Sequence, residues 1–108
     1  MKNWQGFLIR IPFLWVEGMA LFPFVLFRTG SPTERLRNHE AIHLRQQLEL
    51  GIVLFYVWYI LEYLYRRIQY PNHYAAYRAI SFEQEAFLHE ADVDYLNHRK
   101  FWAFRLYV

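Results

Sequence analysis

The chain has 108 residues, a net charge of +2, no cysteine and an aromatic share of 21%. That length fits one domain, and without cysteine there are no disulfides and no thiolate metal sites. The basic residues are scattered, without a run or a binding motif beside them, which argues against a nucleic-acid partner.

The amino-terminal stretch to Phe27 is very apolar but is interrupted by Arg10, Pro12, Glu17 and Pro23. A signal peptide needs an unbroken apolar core, and a spanning helix needs about 20 apolar residues. The expectation is a cytoplasmic protein without a membrane span, with peripheral membrane attachment left open. Residues 7–15 and 20–28 are rich in Phe, Ile, Leu and Val and read as two strands separated by a turn at Glu17-Gly18. Pro23 within the second run points to an edge strand. Gly30-Ser31-Pro32-Thr33-Glu34 then reads as a helix start, with Ser31 as the cap and Glu34 closing a capping box.

From there the sequence is helical in character to about Arg67, with Gly51 a weak point that need not break the helix. At 100° per residue, Leu36, His39, Glu40, His43, Gln47, Leu50 and Leu54 share one face. Glu34, Asn38, Arg45 and Glu49 lie opposite, on a side that looks solvated. Beyond Gly51 the outer face also becomes apolar, through Ile52, Tyr56, Tyr59, Ile60 and Tyr63. Such a face calls for a cover: the rest of the chain, a second copy in a homo-oligomer, or a membrane surface. A loop at Gln69–Tyr74, a short helix near 74–79 and a capped helix from Ser81 to about Asn97 follow. The fold class is therefore α+β, mostly α.

Within the long helix, His39-Glu40-Ala41-Ile42-His43 spells H-E-x-x-H. Two imidazoles one turn apart can reach a single ion, with Zn–N near 2.0–2.1 Å. Glu40 on the neighbouring flank can serve as general base toward a metal-bound water without ligating the metal. Zn2+ suits a site built from histidine and carboxylate, as do several other ions. The extended pattern with a third histidine fails, because Gln46 and Glu49 occupy the decisive places. The third ligand must come from elsewhere.

The segment Glu83-Gln84-Glu85-Ala86, on the second capped helix, resembles the Glu-x-x-Ala pattern of the gluzincin branch of the zincin metallopeptidases. The layout as a whole is similar to short bacterial zincin-like proteins of unassigned activity. The resemblance implies a minimal zincin-like fold with Glu83 as third metal ligand. Glu85 is the alternative and His89 a more distant one. Phe87 departs from the pattern, since Asp or Asn often stands there to support a histidine. Glu90, Asp94 or a backbone carbonyl would have to give that support. The resemblance further implies a peptide or protein substrate, paired along segment 20–28 by strand addition, and an oxyanion partner among His73, Tyr74 and Tyr77. The same ligands also fit a non-catalytic module that uses metal to stabilise a small core.

Overall fold

In a computed structural model, residues 5–108 are described. Residues 1–4, the start of the stretch read above against a signal peptide, lie outside them. The fold is mostly helical α+β, a three-stranded mixed sheet followed by five helices.

The strands are β1 (Phe7–Arg10), β2 (Gly18–Leu21) and β3 (Phe24–Phe27), in the order β1-β3-β2. Two expected strands have become three. The first is shorter than expected because Pro12 has no N–H to continue a ladder. Ile11 makes its last bond, to the Phe27 carbonyl at 2.8 Å. The second run folds on itself at Phe22-Pro23, whose bond is cis. It becomes a hairpin in which Leu21 faces Phe24. Pro23 therefore sits in a turn, and β3 is the central strand, parallel to β1 and antiparallel to β2. The two edges of the sheet are β1 and β2. Gly18 opens β2 rather than forming a turn.

Helix α1 (Glu34–Leu50) runs through the middle of the molecule. Its cap is Thr33, whose Oγ1 accepts from the Leu36 N–H at 3.1 Å, two residues after the expected Ser31. Gly51 then breaks the expected long helix. It adopts φ +84°, which glycine tolerates best, and α2 (Ile52–Gln69) leaves at 111° to α1. Helices α3 (His73–Ala79), α4 (Ser81–His89) and α5 (Tyr95–His98) and a 3-10 turn (Ala103–Tyr107) complete the chain. Helix α4 ends eight residues before the expected Asn97. Its first turn is capped not by Ser81 but by Glu62 of α2, which accepts from the Ser81 N–H at 2.8 Å and from its hydroxyl at 2.6 Å. Glu62 also pairs with Arg66 one turn on.

Three apolar clusters surround α1 and α2. Ala20, Val25 and Phe27 of the sheet pack on Leu44. Ala41 and Ile42 pack on Ala86, Tyr95 and Leu96. Phe55 meets Ile80, Phe82 and Phe104. These clusters hold α1 between the sheet and α4, which sets the distance between the H-E-x-x-H face and Glu83.

The face of α1 expected to be solvated is partly covered. Asn38 is buried, and its Nδ2 donates to the carbonyls of His89, Glu90 and Asp92, closing the end of α4. Glu49 takes two bonds from Arg99, at 2.6 and 3.1 Å.

Candidate metal centre

His39 and His43 lie one turn apart on α1, and Glu83 lies in the first turn of α4. The fold brings all three together. Their candidate ligand atoms lie within 4.8 Å of one another, and each residue is at most 5% exposed. Both imidazole Nε2 atoms sit 3.1 Å from the same oxygen, Glu83 Oε1.

The other side of each ring fixes its tautomer. His39 Nδ1 lies 2.8 Å from Glu90 Oε1, and that carboxylate is itself paired with Arg35 at 2.8 Å. His43 Nδ1 lies 2.7 Å from Gln46 Oε1. The Gln46 amide cannot turn around, because its Nε2 donates to the Phe82 carbonyl and to Glu85 Oε1. Both partners are therefore acceptors, so both Nδ1 atoms carry the hydrogen. That leaves the two Nε2 lone pairs facing a carboxylate oxygen among three buried side chains. Three electron-rich atoms in that arrangement require a cation between them, either a proton or a metal ion. Two imidazoles with supported Nδ1 atoms and one carboxylate are a donor set that fits zinc.

The second Glu83 oxygen is held as well. The Tyr59 hydroxyl donates to Oε2 at 2.7 Å, and Tyr77 lies close enough to feel the same carboxylate. Burial and the Glu83 charge both push the two phenols up, so they remain donors. Tyr59 reaches this position only because the chain turns at Gly51. The other expected oxyanion candidates are engaged elsewhere, His73 with Tyr63 and Tyr74 with Arg78.

Glu40 is buried and close enough to feel His43, His39 and Glu83. Burial raises its pKa, against the pull of the two histidines. Gly18 of β2 packs against it: a Cβ built there would lie 3.2 Å from Glu40 Cγ and Oε2.

The alternative ligands are occupied otherwise. Glu85 lies on the opposite face of α4, where it accepts from the Tyr95 hydroxyl at 2.6 Å and pairs with Arg99. His89 stacks on Tyr95 with centroids 3.8 Å apart and meets the Tyr107 hydroxyl. The expected support for a histidine from Glu90 is present. Gln47 accepts from the Phe22 N–H at 2.7 Å and donates to the Ala20 carbonyl at 2.8 Å, tying the β2–β3 turn to α1. The sequence reading missed Gln46 and Tyr59. Gln46 had a detectable signal, since it follows His43 at the i,i+3 spacing that puts side chains in contact.

In the metal-free protein the triad is a charged pair. Burial alone would lower the His43 pKa, but the Glu83 carboxylate outweighs it, and His43 is raised to about 9. Burial alone would raise Glu83, but the charge on His43 and its hydrogen bond hold Glu83 well below the usual carboxylate range. A histidine with a raised pKa contributes stability that is full below its ordinary value of 6.5 and lost as pH rises through about 9. Glu40, raised by burial, acts in the same direction as it ionises. Metal-free protein should therefore lose on the order of 2 kcal/mol, or roughly 10 °C in Tm, between those pH values. Thermal melts in chelator would show this, and a flat Tm would mean that His43 is neutral in the fold.

Searches of protein-family models, curated proteins and solved structures find no match for this chain.

Proposed function

We propose that this chain is a compact zinc-dependent hydrolase of the gluzincin kind, acting on peptide bonds. His39, His43 and Glu83 hold the ion, and Glu40 is the general base. The observation that carries this reading is the convergence of two oriented Nε2 lone pairs on one carboxylate oxygen. Bound zinc supplies a Lewis acid that lowers the pKa of a coordinated water toward about 7.

The chain's own groups do the rest. Glu40, made a stronger base by its burial, is suited to take a proton and to give it up to a leaving amine. Tyr59 holds Glu83 Oε2 and so turns Oε1 toward the imidazoles. The outer edge of β2 can pair with an extended peptide, and its first residue, Gly18, packs directly on Glu40. A peptide added there would run past the base.

The test is elemental analysis beside a peptide-hydrolysis assay. The parent should carry about one metal ion per chain. Glu83→Ala should weaken metal binding by more than the roughly 10–100-fold that loss of a supporting partner costs. Hydrolysis should stop in chelator and return with zinc. Equal metal in parent and variant would remove Glu83 from the ligand set.

A second reading, a metal clamp without turnover, rests on the burial of the triad. An ion there ties α1 to α4 in a small core and supplements its stability. One metal per chain with no hydrolysis of any peptide in a broad library would select it.

A further inference from the structure

The exposed side of α2 is built for another helix. Leu54, Val57, Leu61, Leu64 and Ile68 follow one another at spacings of 3, 4, 3 and 4 residues and are all exposed, between 48% and 86%. That is the a/d rhythm of a helix pair, which repeats every 3.5 residues. Val53, Ile60 and Tyr65 widen the stripe. The opposite side of the same helix, Phe55, Tyr59 and Glu62, packs into the body. The exposed stripe is thus surplus to the core. Its accessible area is on the order of 900 Å², against the roughly 800 Å² per partner of ordinary stable interfaces.

Charge decides what covers it. Helix α2 carries three charged side chains. Glu62 and Arg66 turn inward, which leaves Arg67 as the cation at the border of the stripe. A helix lying on lipid uses a basic polar face to meet headgroups, and α2 lacks one. A second copy needs only the same stripe, because a two-fold interface is self-complementary. In a parallel pair both Arg67 charges gather at one end and the helix dipoles align, whereas in an antiparallel pair the charges lie at opposite ends and the dipoles oppose. We propose that this protein forms a two-fold dimer in which α2 pairs antiparallel with α2 of a second copy. The proposal does not depend on the metal centre.

The chain has no native cysteine, so cross-linking can read the geometry directly. Sedimentation velocity should show a dimer, and Leu61→Glu, at an exposed position, should be monomeric with an unchanged circular dichroism spectrum. With a short bis-maleimide, Leu61→Cys should cross-link to itself. Leu54→Cys and Ile68→Cys should each fail alone and cross-link when mixed. Efficient cross-linking of Leu54→Cys to itself would overturn the antiparallel arrangement. A monomeric parent, or a Leu61→Glu variant that still dimerises, would overturn the dimer. A monomer that floats with phosphatidylglycerol vesicles would assign the stripe to lipid instead.

Discussion

Replacing Glu40 with Gln is expected to keep metal at the parent level and to lower kcat by about 10²–10⁴-fold. The substitution is nearly isosteric, which matters because the side chain is buried and Gly18 packs closely on its carboxyl. An amide preserves that packing but cannot take a proton. Its removal also takes away a buried carboxyl whose ionisation is unfavourable, so the fold should be as stable as the parent or slightly more so. The measurement is kcat at saturating peptide, with metal content and Tm on the same samples. Turnover at the parent rate would exclude Glu40 as the base. Loss of both metal and turnover would make it part of the ion's binding instead.

The largest stability effect is expected at Arg99. Its guanidinium is buried between two carboxylates, Glu49 of α1 and Glu85 of α4, and it bonds both. Burial alone would lower the Arg99 pKa, but the two carboxylates push it up. Glu85 is lowered in turn, with Arg99, Tyr95 and Gln46 overcoming its burial. Arg99→Met fills much of the volume, leaves Glu85 without a countercharge and leaves Glu49 to the charge of Arg45. Breaking such a group costs about 3–5 kcal/mol. Urea denaturation should show that loss, and adding Glu85→Gln to Arg99→Met should recover part of it. The second readout is the metal centre, because Glu85 accepts from the amide that orients His43 through Gln46. Weaker zinc binding in Arg99→Met, at temperatures where the variant is folded, would show that this chain of bonds reaches the ligand. A loss under 1 kcal/mol would mean that the carboxylates find water or protons instead.

The parts legible in the sequence were those fixed by local periodicity. The inward turn of His39, Glu40 and His43 follows from helical spacing alone, as does the placement of Glu83 and Glu85 on opposite faces of α4. Glu90 as the partner of a histidine follows from the same face. What escaped was decided by contacts distant in sequence. Asn38 and Glu49 read as solvated because the groups covering them, the carbonyls after His89 and the Arg99 guanidinium, arrive some fifty residues later. The break at Gly51 is invisible to a hydrophobicity pattern because apolar residues continue on both sides. Its consequence is large: it turns Tyr56, Tyr59 and Tyr63 toward the body and puts the 54–57–61–64–68 stripe outside. The capping signals misled for a related reason. Ser81 offers a hydroxyl suited to its own helix, but Glu62 is a stronger acceptor and takes its place.

The separation between the imidazole pair and Glu83 along the chain has a consequence for how the protein is made. His43 leaves the ribosome 40 residues before Glu83. During that interval the nascent chain has two thirds of a donor set and nothing to close it. Strong capture of an ion by this triad would therefore wait until α2 has folded back and α4 has docked, so a bound ion would act as a late lock on a nearly finished structure.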